Sequence, residues 1–235
     1  MKILLIIPAY NEERSLPALL EEVKFAELDA VIVDDASHDN TASVALAAGF
    51  PVLQLVTKLG IGGAVQTGFI YAVQHGYDIA VHVDGDGRHN PALVRELVDP
   101  IVAGEADCVI GSRYLPADPG RDRQTPVNRR LGEYFSTSIL RWGTGLQIYD
   151  TNSGFRALNR KAFTFFSTEY PVDHPEAEAL LLLHRAGFRI IEIPARMRGQ
   201  ERRPSLFASA KALFYPVSVI IGLAGIILKQ PRGKI

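Results

Sequence analysis

The sequence predicts an α/β fold: a doubly wound, mainly parallel sheet with helices on both faces. Three observations carry this. Short apolar runs such as residues 3–7 have strand length but no alternation, which marks strands covered on both sides. Each run is followed by a segment with apolar residues at helical spacing. This strand–helix alternation recurs five times with short connections, as parallel sheets require. At 235 residues, 47% hydrophobic, the chain can form one domain with a sizeable core, or a domain with a small appendage.

Residues 3–7 form the first strand, ended by Pro8. The loop Ala9-Tyr10-Asn11-Glu12-Glu13 leads to a helix starting at Ser15, with Leu16, Leu19, Leu20 and Val23 on one face. Residues 30–33 are the second strand, running into Asp34-Asp35-Ala36-Ser37. Thr41 caps a helix through Ala48, closed by Gly49. Residues 52–56 are the third strand. Gly60-Ile61-Gly62-Gly63-Ala64 opens a helix to about His75, and Gly76 ends it. Residues 79–83 are the fourth strand, running into Asp84. Pro91 sits near the start of a helix over 92–103, and 108–110 are a fifth strand ending at Gly111-Ser112-Arg113.

Beyond Tyr114 the character changes. Pro116, Pro119, Gly120 and Pro126 mark a loop among Arg121, Arg123, Arg129 and Arg130, followed by a helix over 128–142. Asp150-Thr151-Asn152-Ser153-Gly154-Phe155-Arg156 is a polar turn between Ile148-Tyr149 and the apolar stretch 162–166. Pro175-Glu176-Ala177-Glu178 opens an apolar helix to Arg185, and a last strand over 188–193 ends at Pro194.

A net charge of −1 argues against a nucleic-acid partner. The single cysteine, Cys108, excludes an internal disulfide and reads as an inert thiol in a buried strand, which suits a reducing compartment. The N-terminal apolar run is too short for a signal peptide. Near the C-terminus, Arg196, Arg198, Arg202 and Arg203 form a basic stretch. Residues 212–228 then lack charge, contain Pro216, and are followed by Lys229, Arg232 and Lys234. This is the short limit of a membrane span; a segment lying in the membrane interface fits better, and a core or dimer-interface helix is the alternative. The expected division is one α/β domain over 1–205 and a hydrophobic, basic-flanked helical tail over 206–235. The oligomeric state stays open.

In parallel sheets, ligands bind beyond the carboxyl ends of the strands. The polar and glycine-rich sequences fall at those ends: Asn11-Glu12, Asp34-Asp35, Asp84-Gly85-Asp86 and Ser112-Arg113. On an extended chain, Asp84 and Asp86 point to the same side. Two carboxylates so close repel, and a divalent cation removes the conflict; oxygen ligands suit Mg²⁺ or Mn²⁺ held together with substrate phosphates. An Asp-Gly-Asp-Gly turn without a ligand is the plain alternative.

Five motifs in order carry a resemblance: Pro8-Ala9-Tyr10-Asn11-Glu12-Glu13, Asp34-Asp35-Ala36-Ser37, Gly60-Ile61-Gly62-Gly63-Ala64, the DXD arrangement Asp84-Gly85-Asp86-Gly87, and Ser153-Gly154-Phe155-Arg156. Over roughly residues 3–205 the chain resembles glycosyltransferase family 2, of the GT-A (Rossmann-like) fold. The helix start Pro175-Glu176-Ala177-Glu178 and the strand end Glu192-Ile193-Pro194 resemble the bacterial branch related to polyprenyl-phosphate sugar transferases.

The resemblance implies an inverting, metal-dependent transfer of a sugar from a nucleotide-diphosphate donor to a polyprenyl-phosphate or other lipid-linked acceptor, at the cytoplasmic face of the membrane. Pro8, Tyr10, Glu12 and Asp35 would hold base and ribose. Gly60 and Gly62 would bring helix-start amides to the donor, and Arg113 would meet phosphate. Asp84 and Asp86 would hold Mg²⁺ or Mn²⁺ across the diphosphate. Asp150, Ser153 and Arg156 would face sugar and acceptor, and Arg202 and Arg203 would bind phosphate. A base, needed only for a hydroxyl acceptor, would come from Glu176, Glu178 or Asp150. Two positions depart from the family pattern: Lys58 stands for the usual Asn, and Arg88 for a Gln that can ligate metal, a role closed to arginine. Arg88 either leaves the metal to two carboxylates and water or contacts phosphate itself. The other readings are a degenerate sugar-nucleotide-binding module or membrane assembly partner, and, less favoured, a nucleotidyltransferase.

Overall fold

The computed structural model describes residues 1–116, 137–138, 140–141, 145–171 and 175–198. The order is β1 (Ile3–Ala9), α1 (Leu16–Phe25), β2 (Asp29–Asp34), α2 (Thr41–Ala47), β3 (Val52–Gln54), α3 (Gly60–Gln74) and β4 (Ile79–His82). A 3-10 turn (Pro91–Leu93) then leads into α4 (Val94–Val102), β5 (Cys108–Ser112), β6 (Arg156–Asn159), α5 (Arg160–Glu169), α6 (Pro175–Arg185) and β7 (Ile190–Pro194). Among the described residues the strands form one sheet in the order β3-β2-β1-β4-β6-β5-β7.

β1 lies at the centre of the parallel part, paired with β2 and β4. Its unbroken apolar run serves two cores at once. Leu4 and Ile6 face α3, α5 and α6 through Val65, Phe69, Phe163 and Leu180, all in one buried cluster. Leu5 and Ile7 belong to the cluster on the other face, with Leu16, Leu20, Leu97 and Val98 of α1 and α4. Side chains alternate across a strand, so a continuous apolar run is the signature of a sheet covered on both sides. Gly68 of α3 lies so close to Ile6 that an added Cβ would clash with its side chain, so glycine sets how near that helix packs.

The expectation of a mainly parallel sheet holds with one correction. β6 runs antiparallel between β4 and β5, pairing Val81 with Ala157 and Val109 with Ala157 on its two sides. Sequence reading left residues 156–159 without a strand, because four residues bounded by Arg156 and Asn159 show no apolar run. Asn159 ends the strand and caps α5, accepting the Ala162 N–H at 2.9 Å. The cap of α2 also differs: Asn40 is the N-cap and Thr41 the first helical residue. The Thr41 hydroxyl instead accepts the Glu12 N–H at 2.8 Å, tying the loop after β1 to α2. Of the expected helix over 128–142 only residues 137, 138, 140 and 141 are described, and they are helical; the arginines from 121 to 130, Asp173, His174, and the tail over 206–235 with its apolar stretch 212–228 lie outside the described residues. Among the described residues no helix is long and apolar enough to cross a membrane.

Candidate active site

The carboxyl ends of β1, β2 and β4 and the start of α3 enclose a cavity of about 280 Å³. Pro8, Tyr10, Glu12, Asp35, Lys58, Gly60, Asp84, Asp86 and Arg88 all line it. The first two walls are shaped by unusual backbone. Asn11 and Ala36 have φ of +55° and +58°, a left-handed conformation that is uncommon outside glycine. The two turns bind one another: Asn11 N–H donates to Ser37 Oγ at 2.9 Å, and Asn11 Oδ1 accepts from His38 N–H at 2.9 Å. Such strain persists only where neighbours over-determine it, and it gathers at functional sites.

Asp35 is 4% exposed. Its carboxylate accepts the N–H groups of Leu59 at 2.7 Å and Gly60 at 2.9 Å. The start of α3 is thus fastened to β2 by the acidic side chain its positive end favours. The Gly60 amide, expected to meet the donor, is engaged by Asp35. Gly62 is buried in the first turn of α3, and the helix presents Gly60, Ile61 and Ala64 to the cavity. Lys58 lies over the Tyr10 ring, 3.2 Å from its centroid. This cation–π contact holds an ammonium at the cavity wall.

Asp84 and Asp86 do not sit on an extended strand as expected. β4 ends at His82, and a turn through Gly85 and Gly87 carries both carboxylates to the cavity. Gly87 takes φ +76°, and a Cβ on Gly85 would lie 2.9 Å from the Pro8 carbonyl oxygen, so both glycines are needed for this turn. Arg88 bridges the pair. Its Nε donates to Asp86 Oδ2 at 2.6 Å, its N–H to Asp86 Oδ1 at 3.1 Å, and its Nη2 lies 3.9 Å from Asp84 Oδ2.

Behind Asp84 stand two histidines. His89 Nδ1 accepts the Asp84 N–H at 2.9 Å, which places the ring proton on Nε2, 3.6 Å from Asp84 Oδ2. Its ring stacks on Phe155, centroids 5.0 Å apart. His82 Nε2 lies 3.3 Å from Asp84 Oδ1. Both Nε2 atoms are buried without a well-formed hydrogen bond among the described residues. Burial holds the His89 pKa below its ordinary value. Burial alone would raise the Asp84 pKa, but His89, His82 and Arg88 outweigh it and hold the carboxyl well below the usual carboxylate range. Gly154 closes this corner: a methyl group there would lie 2.8 Å from Asp84 Oδ1 and 3.2 Å from His82 Cε1. His89 was not singled out from the sequence, although its place just after Asp84-Gly85-Asp86 was there to be read.

The donor set fits a divalent cation of the hard, oxygen-seeking kind. Two anionic carboxylates share one face of the cavity, each side chain about a quarter exposed, and already hold a cationic group between them. Among the described residues no group of three or more His, Cys, Asp or Glu could hold a metal ion. Two protein carboxylates, with diphosphate and water completing the shell, is a common way of binding Mg²⁺.

A second acidic cluster lies at the ends of β5 and β7. Asp150 is 0% exposed. Its Oδ2 accepts from Arg113 N–H at 2.9 Å and Nε at 2.7 Å, and its Oδ1 from Arg113 Nη2 at 2.6 Å. Glu192 accepts the N–H groups of Tyr149 at 2.8 Å and Asp150 at 2.9 Å. Burial pushes the Glu192 pKa up, with Asp150 adding to the rise and these hydrogen bonds opposing it. Asp150, expected to face the sugar, is buried with both its oxygens bonded to Arg113. Ser153 and Arg156, expected at the acceptor, are turned into the protein. Ser153 Oγ donates to Gly111 O at 2.6 Å, and Arg156 donates to the carbonyls of Ser153 and Thr151 at 2.8 and 2.7 Å. They brace the turn that presents Gly154. Glu178 is 7% exposed near the start of α6 and is not part of the cavity wall; Arg202 and Arg203 lie outside the described residues. Cys108 is buried, its thiol pushed up to about 12 by that burial, as expected of an inert core group.

Comparison with known proteins places this cavity in a family. The chain is 35% identical over 204 residues to an undecaprenyl-phosphate mannosyltransferase of Micrococcus luteus, covering 83% of this chain and 82% of that one. It is 31% identical over 229 residues to a polyprenol monophosphomannose synthase of Mycolicibacterium smegmatis, covering 88% and 85%. Its fold is shared with glucosyl-3-phosphoglycerate synthase of Mycobacterium tuberculosis, solved with Mn²⁺, UDP-glucose and phosphoglyceric acid. That match has a TM-score of 0.73 at 23% identity and covers 95% of this chain and 79% of that one. The family model for glycosyl transferase family 2 matches residues 4–165, and the chain belongs to that family.

Proposed function

We propose that this glycosyltransferase moves a sugar, with inversion, from a nucleoside-diphosphate sugar to a polyprenyl phosphate at the cytoplasmic face of a membrane. The observation that carries the reading is the meeting, in one cavity, of the Pro8–Glu12 wall and Asp35 with the Asp84–Asp86 turn. The first group suits a nucleoside and the second a diphosphate. The acceptor class is supported by the relatives, one named for undecaprenyl phosphate and one for polyprenol monophosphomannose.

Asp84 and Asp86 would hold Mg²⁺ or Mn²⁺, which supplies Lewis-acid stabilisation of charge growing on the leaving diphosphate. His89 holds the Asp84 backbone from behind, and Gly154 leaves room for its carboxylate beside His82. Asp35 fixes the start of α3, and Tyr10, with Lys58 over its ring, would offer a surface for the nucleoside beside it. A phosphate monoester has its second pKa near 6, so it attacks already ionised and needs no base. That fits an Asp150 committed to Arg113 and a buried Glu178. Arg113, whose Nε and Nη2 both donate to the Asp150 carboxylate, is a positioned guanidinium at the end of β5 suited to a phosphate.

The test is turnover by the full chain on vesicles carrying undecaprenyl phosphate, with a panel of GDP- and UDP-sugars and Mn²⁺. Nucleoside diphosphate and lipid-linked sugar should appear in equal amounts, with the anomeric configuration inverted. Flotation with the vesicles should recover the protein. One observation favours a second reading, a degenerate sugar-nucleotide-binding module: the Arg88 guanidinium already occupies Asp86. Donor binding without turnover on any acceptor would establish that reading instead.

A further inference from the structure

The geometry points to Arg88 as a built-in counter-ion that competes with the divalent cation for Asp86 and couples cation binding to nucleotide binding. The inference rests on the reading of Asp84 and Asp86 as the cation site. Two carboxylates without a ligand repel, and the turn answers this internally. Arg88 Nε donates to Asp86 Oδ2 at 2.6 Å, and its Nη2 stands 3.9 Å from Asp84 Oδ2. The guanidinium therefore covers the oxygens a cation would use. It cannot ligate the ion itself, since it carries no lone pair and stays protonated.

The arrangement is exchangeable. The Arg88 side chain is 24% exposed and lies at the cavity wall, so the guanidinium can leave Asp86 without unfolding anything. Its backbone is anchored: Arg88 O accepts the Arg198 N–H at 3.0 Å, and Arg88 N–H binds Asp86 Oδ1. The head can swing while the turn stays. When a cation takes Asp86, a guanidinium set free in the same cavity meets the diphosphate, the other anion present. Cation binding is then weak alone and strong with nucleotide. Linkage makes the effect reciprocal. A neutral side chain at this position would hold the cation without competition but lose the second contact.

The experiment measures Mn²⁺ binding to the full chain by electron paramagnetic resonance and calorimetry, without nucleotide and with UDP or GDP, in wild type, Arg88→Leu, Arg88→Lys and Asp86→Asn; leucine removes the charge without adding a metal ligand. A hydrogen bond between charged groups is strong enough that its removal should tighten Mn²⁺ binding by Arg88→Leu about tenfold in the absence of nucleotide. The gain in Mn²⁺ affinity on adding nucleotide should be smaller in that variant than in wild type. Arg88→Lys keeps the charge without the Nε donor and should fall between. Melting curves report that each variant is folded. Equal or weaker nucleotide-free Mn²⁺ binding by folded Arg88→Leu overturns the inference while leaving the cation site intact. Mn²⁺ binding unaffected by Asp86→Asn, or absent in all proteins even with nucleotide, overturns the cation site itself and the inference with it.

Discussion

Two acidic clusters lie at the carboxyl ends of the strands, and they are built in opposite ways. At the β4 end, Asp84 and Asp86 sit about a quarter exposed, with one exchangeable guanidinium between them. At the β5 and β7 ends, Asp150 is wholly buried and both its oxygens are taken by Arg113 in a fork of near-ideal length. The first cluster keeps its charge available, and the second has used its charge to fix backbone. A carboxylate can serve a ligand only where its present partners can leave, and partial exposure, rather than residue type, separates the two clusters.

Substitutions can break this contrast in order of expected size. Asp86→Ala should lower turnover by roughly a thousandfold or more, about 4 kcal/mol on the barrier, while thermal and urea unfolding stay near wild type. Unfolding of that variant at ordinary temperature would mean that Asp86 is structural like Asp150. Asp150→Ala should show the reverse emphasis. It removes the carboxylate that the nearly buried Arg113 holds with its N–H, Nε and Nη2, and the folded state should lose about 3–4 kcal/mol in urea titration. Gly154→Ala tests the boundary between the clusters. Its methyl would press on Asp84 Oδ1, so turnover should fall by about tenfold to a hundredfold, with a smaller change in melting temperature.

The smallest effect expected concerns a third carboxylate, at the opposite ends of the strands. Asp107, before β5, accepts from Arg189 N–H at 2.8 Å and Asn159 Nδ2 at 2.7 Å. Burial would raise its pKa, but these bonds and the Arg189 charge outweigh it and lower it. A carboxyl with a lowered folded pKa contributes stability that is present above its unfolded value and lost as pH falls through the folded one. Asp107→Asn should therefore cost about 1 kcal/mol at neutral pH, with the difference shrinking in acid, as unfolding titrations across that range would register.

Much of this was legible in the sequence because the signals were local. The continuous apolar run of β1, the helix-spaced leucines of α1 and the glycine ends of helices follow from neighbouring residues alone. So does the gathering of Pro8, Tyr10, Glu12, Asp35, Asp84 and Asp86, which needs only that parallel strands end on the same side. What escaped was non-local. β6 is too short and too polar at its ends to announce itself, and its pairing is with strands far away in sequence. Asp150, Ser153 and Arg156 are placed at sugar and acceptor by the family resemblance alone, which does not say where their side chains point. Here Arg156 reaches back to two carbonyls of its own turn, a use of charge that composition does not distinguish. His89 escaped because its meaning lies in contact with the Asp84 backbone and Phe155.

The placement of β6 also bears on how the chain can be made. β5 is synthesised before either of its neighbours in the sheet, since β6 and β7 both follow it in sequence. A nascent chain that has just released Cys108–Ser112 therefore carries a strand, wholly buried in the folded protein, with two open edges, the kind of surface that invites wrong association. Late arrival of residues 156–159 stitches β5 to β4 and, in the same event, delivers Gly154 against Asp84. A cation site that needs Gly154 beside Asp84 would therefore form only after β6 has been made, late in biosynthesis. A chain stopped between β5 and β6 should collect in aggregates rather than persist as a half-built enzyme.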